Sequence, residues 1–168
     1  MSYFFAVSPL SALSALEVHN LYKLRVDVFV HEQRCPYAEI DDIDALDSTA
    51  HMQAFDSNKV LRGTARVYAV DTATFARECG LESVPTDSAQ VAEIGRVCVD
   101  LESRNTGLGK ELMEQALRLA EETYPGLPIV ITAQAHLGDF YSQFGFTRIG
   151  EDFDWDGIMH TPMLRAAA

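Results

Sequence analysis

Between a short apolar run and an amphipathic one, the chain carries Arg104-Asn105-Thr106-Gly107-Leu108-Gly109, and this hexapeptide constrains the fold more than any other stretch. Upstream, Ile94 to Val99 is compact and rich in Ile and Val, the pattern of a strand buried on both faces. Downstream, Leu108, Leu112, Ala116 and Leu119 recur at helical spacing with Glu and Lys between them. A strand that feeds a helix through two glycines predicts a tight turn whose first free N–H groups point at one anion, aided by the positive end of the helix dipole. Arg104 and Lys110 bracket that helix start, where cations normally oppose the dipole, so something negative belongs there. The pattern reads as a diphosphate cradle. Its plain alternative is an ordinary glycine-punctuated helix start, and Glu121-Glu122 at the other end of the same helix also carry the sign the dipole disfavours.

The length, 168 residues, suits one domain with a sizeable core, and a single domain over 1–168 is expected. A hydrophobic share of 48% with 23% charged residues excludes global disorder. Tyr3 to Val18 is moderately apolar, but Ser8, Pro9, Ser11, Ser14 and Glu17 interrupt it and the first basic residue is Lys23, which does not match a signal peptide. The formal charge of −12 repels nucleic acid and anionic membrane surfaces, so neither is expected as a partner, whereas a cationic or neutral small substrate is favoured. Cys35, Cys79 and Cys98 are odd in number and widely spaced, which predicts neither a disulfide framework nor a zinc site and fits a cytoplasmic protein.

Along the chain, Ser14 to Gln33 has helical spacing and Cys35-Pro36 is expected to end that helix. The acidic run Glu39, Asp41, Asp42, Asp44 and Asp47 reads as solvated surface or, alternatively, as the lining of a cavity that receives a cation. His51 to Phe55 and Val60 to Val70 form a hairpin around Asp56-Ser57-Asn58, followed by a short helix over Thr72 to Gly80. After the glycine loop come a helix to about Glu122, a stop at Tyr124-Pro125-Gly126, a strand over Ile129 to Ala135, and a short helix from His136 to Phe144 broken by Gly145. Phe146 to Ile149 and Met159 to Leu164 read as closing strands. This order predicts an α/β fold, a mixed sheet with helices on its faces. Asp152 to Gly157 imitates half of a calcium-binding EF-hand loop, but position twelve is Met163 where a bidentate glutamate is required, and His51 and His160 show no ligand spacing, so no metal is predicted.

Three separated features resemble the GCN5-related N-acetyltransferase (GNAT) superfamily. Ile94-Gly95-Arg96-Val97-Cys98-Val99 followed by Arg104 to Gly109 matches its acyl-CoA motif. Ala133 to Leu137 with Phe140 to Phe146 looks like the strand, helix and glycine turn that follow. Leu21 to Val30, with Glu32-Gln33 and Cys35-Pro36-Tyr37, is similar to the ElaA-like branch, although that branch usually carries Asp-Gly-Ile-Pro-His where this chain reads Asp156-Gly157-Ile158-Met159-His160.

The resemblance implies a GNAT-like acyl-CoA N-acyltransferase fold, with a central mixed, mostly antiparallel sheet flanked by helices. It implies direct transfer of acetyl from acetyl-CoA to a primary amine of a small molecule or peptide, without a metal. The alternatives are a non-catalytic acyl-CoA-binding or regulatory module and an enzyme with a longer acyl donor. The main chain of Val97, Cys98 and Val99 is implied to hold the pantetheine arm, with its N–H groups also facing the developing oxyanion. Arg104, Asn105, Thr106, Gly107, Leu108, Gly109 and Lys110 are implied to hold the phosphates. Tyr141 sits where many members have the acid that protonates the leaving thiolate; packing between Phe140 and Phe144 is its plain alternative. Glu93, eleven residues before Arg104, has the spacing of the catalytic glutamate in histone-acetylating relatives, and on a regular strand it shares a face with Val97 and Val99. Glu32, Glu39, His136 and His160 are the other candidate bases. Phe29, Glu32, Arg96, His136 and His160 are candidates for the acceptor side, though Arg96 more readily forms a structural ion pair. Cys98 reads as a small buried hydrophobe in preference to a nucleophile. Members of the family are often dimers, which makes a homodimer one expected form.

Overall fold

The computed structural model describes residues 1–168 and contains eight strands: β1 (Phe4–Ser8), β2 (Ala50–Phe55), β3 (Leu61–Asp71), β4 (Gln90–Val99), β5 (Ile129–Gln134), β6 (Thr147–Arg148), β7 (Phe153–Trp155) and β8 (Ile158–Arg165). Their order in the sheet is β1-β2-β3-β4-β5-β8-β6, with β7 paired to β8. β4 and β5 run parallel, whereas β1/β2, β2/β3, β5/β8, β6/β8 and β7/β8 are antiparallel, so the sheet is mixed, as the element order predicts, and mostly antiparallel, as the resemblance implies. The helices are α1 (Ala15–Arg25), α2 (Thr72–Glu78), α3 (Leu108–Thr123) and α4 (Gly138–Ser142). The chain divides into two compact units, one of Met1–Val67 with Arg96–Ala116, the other of Tyr68–Gly95 with Leu117–Ala168.

In the first unit α1 opens on a capping box: the Glu17 N–H donates to the Ser14 hydroxyl at 3.2 Å and the Ser14 N–H to the Glu17 carboxylate at 2.7 Å. The helix then continues as a π-helix over Val26–Glu32. It ends at Arg34, whose φ of 57° turns the chain so that the Cys35 N–H reaches the Phe29 carbonyl at 2.9 Å. The stop therefore lies just before Cys35-Pro36, and a left-handed residue makes it. β1 escapes the sequence pattern because most of its residues stay in water, Phe4 at 63% exposure among them. The β2–β3 hairpin turns where expected, with Asp56 Oδ1 accepting the N–H groups of Asn58 and Val60 at 2.9 and 3.0 Å. Gly63 allows a close approach: a Cβ there would lie 3.2 Å from the Cys98 carbonyl and 3.5 Å from Leu108 and Leu112.

The acidic run divides: Asp42 and Asp47 are exposed, as a solvated surface requires, but Glu39, Asp41 and Asp44 turn inward. Glu39 and Asp44 are buried, and the cations they receive are the chain's own arginines. Arg25, 1% exposed, donates to Glu39 Oε1 at 2.8 Å and to both Asp44 oxygens at 2.7 and 3.0 Å. Arg66 grips Asp41 through both Nη atoms at 2.6 and 2.9 Å and reaches Asp44 Oδ1 at 2.9 Å. His51 Nε2 lies 2.9 Å from the Asp44 carbonyl. Burial alone would raise the Asp44 pKa, but the Arg25 hydrogen bonds and the charges of Arg25 and Arg66 outweigh it and hold the carboxyl at about 2. For Glu39 burial prevails over Arg96 and Arg25, and its pKa rises.

In the second unit Phe75, Ala76 and Cys79 join Val84, Val91 and Val130 in an apolar cluster. α3 runs through both units, and its buried stripe is Leu108, Leu112, Met113, Ala116, Leu117 and Ala120; Leu119 falls to the side of it. The calcium-like run is a β-hairpin: Asp156 and Gly157 are both left-handed, and Asp154 accepts the Gly157 N–H at 2.6 Å. Asp152 is engaged by Thr161 at 2.6 Å and Arg148 at 2.7 Å.

Truncating Arg25 to Ala strands two buried carboxylates and should cost about 3–5 kcal/mol in urea unfolding. The Asp44 pKa is lower in the folded chain than the ordinary 3.8, so its contribution is full above about pH 4 and disappears as pH falls through about 2. The wild type should lose on the order of 2 kcal/mol over that window through this residue, and Asp44→Asn should flatten the acid limb of the stability curve.

Candidate active site

The loop ahead of α3 is built by local hydrogen bonds. Asp100 caps a single 3-10 turn over Leu101–Ser103 by accepting the Ser103 N–H at 2.9 Å. The Thr106 hydroxyl donates to the Ser103 carbonyl at 2.6 Å and lies 2.9 Å from the Tyr3 hydroxyl. Asn105 and Gly107 are left-handed, at φ 60° and 90°, and the first helical bond runs from the Glu111 N–H to the Gly107 carbonyl at 3.1 Å. The N–H groups of Gly109 and Lys110 thus belong to the first turn, which no helical carbonyl serves. A Cβ at Gly107 would meet no heavy atom within 4 Å, so the space beside its Cα is open. Only Gly107 needs its glycine: Gly109 has an ordinary φ, and a Cβ there would only touch Val99 Cγ2 at 4.0 Å.

The two cations of the motif differ. Arg104 forms a bidentate pair with Glu32 and donates to the Val99 carbonyl at 3.3 Å, so it ties the end of the π-helix to the end of β4. It is not the uncommitted bracket that its position at the helix start suggests. Lys110 is exposed, 3.8 Å from Glu114. Glu32, a candidate for acceptor binding and for the base, is the partner of Arg104, which lowers its pKa. Phe29 is buried on the π-turn.

On β4, Arg96 adopts φ 52° in the middle of a strand, a conformation that costs an L-residue about 1–2 kcal/mol. The alternation that would place Glu93 on the face of Val97 and Val99 is interrupted there, so the shared face does not follow from the spacing. The expected ion pair of Arg96 is present: it donates to the carbonyls of Glu39 and Ala38 at 3.1 and 3.4 Å and to Asp41 at 3.3 Å, over the Tyr37 ring at 5.4 Å. Val97 and Val99 are half-buried rather than enclosed on both faces. Cys98 is buried, and burial pushes its thiol up to about 12.

In the second unit Tyr141 lies on α4, 8% exposed, with its ring edge-on to Phe140 at 5.1 Å and Phe146 at 6.4 Å. Glu93 is buried on β4 opposite Val130 of β5. His136 is exposed on the 3-10 turn after β5. His160 is buried, its Nδ1–H donating to the Ile158 carbonyl at 2.8 Å beside Phe153 and Trp155. No three His, Cys, Asp or Glu side chains are grouped to hold a metal ion. No helix is long and apolar enough to cross a membrane. Arg25, the buried centre of the arginine cluster, escaped the sequence reading, although it lies on the apolar stripe of Leu21 and Val28, an anomaly that calls for a buried partner.

Residues 23–166 match the model of the acetyltransferase (GNAT) domain. The chain belongs to the GNAT superfamily, in its ElaA-like branch. It is 33% identical over 155 residues to Protein ElaA of Escherichia coli, covering 92% of this chain and 91% of that one. It is 37% identical to a UPF0039 protein of Mycobacterium tuberculosis, over 91% of this chain and 86% of the relative. A crystal structure of an acyl-CoA N-acyltransferase from Pseudomonas aeruginosa superposes with a TM-score of 0.80 at 33% identity, covering 98% of this chain and all of that one. This GNAT protein is accordingly an acyltransferase whose family implies an acyl-CoA donor and a separate acceptor.

Because the Cys98 thiol is buried and held at about 12, it should resist dithionitrobenzoate at pH 8 for as long as the chain stays folded. Mass mapping of the labelled thiols before and after denaturation checks this, with Cys98 modified only in the denatured sample.

Proposed function

We propose that this GNAT protein transfers an acetyl group from acetyl-CoA directly to a primary amine of a small molecule or peptide. The observation that supports the reading is the left-handed Gly107, with open space beside its Cα, where the chain enters α3 in a member of an acyl-CoA-using family. Acetyl-CoA supplies the thioester, whose carbonyl carbon is the electrophile. The N–H groups of Gly109 and Lys110, with the dipole of α3 behind them, bind the diphosphate. The main chain of Val97, Cys98 and Val99 binds the pantetheine arm and stabilises the oxyanion.

Tyr141 donates the proton that the leaving thiolate takes up: a phenol of pKa about 10 is neutral at pH 7 and so carries a proton to give as the C–S bond breaks. Glu93 accepts protons from the amine, directly or through water. An alkylamine of pKa about 10.4 is only about one part in two thousand neutral at pH 7, so this deprotonation is worth roughly 4–5 kcal/mol. The high Cys98 pKa supports direct transfer over an acyl-cysteine intermediate. Acidity of the 39–47 loop does not argue for a cationic acceptor, since Glu39, Asp41 and Asp44 already face arginines. The amine requirement rests on the family.

Calorimetry with acetyl-CoA should show binding by the wild type that weakens tenfold or more in Gly107→Val, because a branched residue at φ 90° must rebuild the bend. Thiol release with a panel of primary amines should fall about a hundredfold in Tyr141→Phe with an unchanged KM for acetyl-CoA. Wild type that fails to bind acetyl-CoA, or Gly107→Val that binds it equally well, overturns the reading. Tight binding with no thiol release for any amine would make the chain an acyl-CoA-binding module instead.

A further inference from the structure

We infer that Arg96 is a positioning residue: through the 37–41 segment it clamps a left-handed kink in β4 and so fixes the direction of the Val97 amide. The inference rests on the proposed binding of acetyl-CoA along Val97–Val99. Three observations converge on it. Arg96 is a non-glycine residue at φ 52° in the interior of a strand, a backbone state that persists only where the surroundings impose it. Its side chain is what the surroundings hold, with hydrogen bonds to two consecutive carbonyls, Ala38 and Glu39, a carboxylate contact to Asp41, and the Tyr37 face against the guanidinium. The clamp is itself braced, because Arg25 donates to the Glu39 carboxylate and carbonyl at 2.8 and 2.7 Å while Arg66 holds Asp41 from the other side.

Glycine would adopt the same φ without strain, so conformational ease alone does not account for arginine at this position. What arginine adds is a planar fork that can satisfy two carbonyls and a carboxylate at once. Rotation about the Arg96 backbone is then resisted at the far end of the side chain, and the peptide that follows, whose N–H belongs to Val97, is held with it. Arg96 in this role touches neither donor nor acceptor.

The test is amide NMR of ¹⁵N-labelled full-length protein titrated with acetyl-CoA, comparing wild type with Arg96→Gly, which keeps the kink accessible but removes the clamp. In wild type the Val97, Gly107 and Gly109 amides should all shift. In Arg96→Gly the Gly107 and Gly109 shifts should persist with affinity within about threefold, while the Val97 response collapses. Asp41→Ala, which removes one side of the clamp, should reduce the Val97 response in the same direction. A wild-type-like Val97 response in Arg96→Gly overturns the inference and leaves the binding reading intact. Absence of any Gly107 or Gly109 shift in wild type overturns the binding reading and the inference with it. If Arg96→Gly does not fold, Arg96→Lys, which keeps the charge but loses the fork, is read by the same three amides with the same expected and overturning outcomes.

Discussion

Arg25 is a fully buried cation, and the first unit is organised around neutralising it. Transferring a guanidinium from water to a protein interior costs several kcal/mol, which only close, hydrogen-bonded anions repay. Glu39 and Asp44 do so directly, Asp44 shares itself with Arg66, and Asp41 links Arg66 to Arg96. Three cations and three carboxylates balance, and because each contact is directional the cluster also fixes geometry. It holds the 39–44 segment to α1, β3 and the kinked part of β4 at once. An apolar replacement of similar volume would seal the same space without specifying which rotation each strand adopts. The left-handed residue in β4, Arg96, is thus braced through the acidic segment by Arg25, fourteen positions before that segment's first acid, Glu39.

The elements legible in the sequence are those whose cause is local. The β2–β3 turn needs only Asp56 to accept two following amides, α1 needs only Ser14 and Glu17 to cap each other, and the bend at Gly107 needs only a residue that tolerates φ 90°. What stayed hidden has a nonlocal cause. The acids of the 39–47 run look like solvated surface until arginines from α1, β3 and β4 arrive beside them. Gly107 and Gly109 are indistinguishable in the motif, yet one sits at positive φ and the other in ordinary helix. β1 carries Phe4 outward and buries none of its residues fully, so no burial period marks it. The family motif located the loop and α4 but could not reveal that Arg104 is engaged by Glu32, since that partner lies on the π-turn far earlier in the chain.

The same division applies to the chemistry. Cys98 is buried, and burial bears on what it can do in an acyl transfer. A buried thiol is held neutral and is thereby a poor nucleophile. The cost of charge in a low-dielectric setting therefore counts against an acyl-cysteine intermediate and accords with the proposed route, in which the amine itself attacks the thioester.

A chain of charge −12 is an unpromising host for a ligand that carries phosphates, and the cation inventory sharpens the difficulty. Of its 13 lysines and arginines, Arg25, Arg66 and Arg96 are enclosed with carboxylates, Arg62 is shared by Asp56, Asp100 and Glu102, and Arg104 is paired with Glu32. That leaves Lys110 as the cation of the loop that faces solvent. Long-range repulsion, however, is screened within about 8 Å at physiological salt, so it weakens encounter more than it weakens the bound state. Once an anion is within hydrogen-bonding distance, neutral peptide dipoles at the start of α3 act on it at full strength and cost nothing in like-charge repulsion among themselves. In the proposed function, donor recognition accordingly depends on backbone direction at Gly107, and an acidic surface is compatible with it because main-chain amides carry no formal charge.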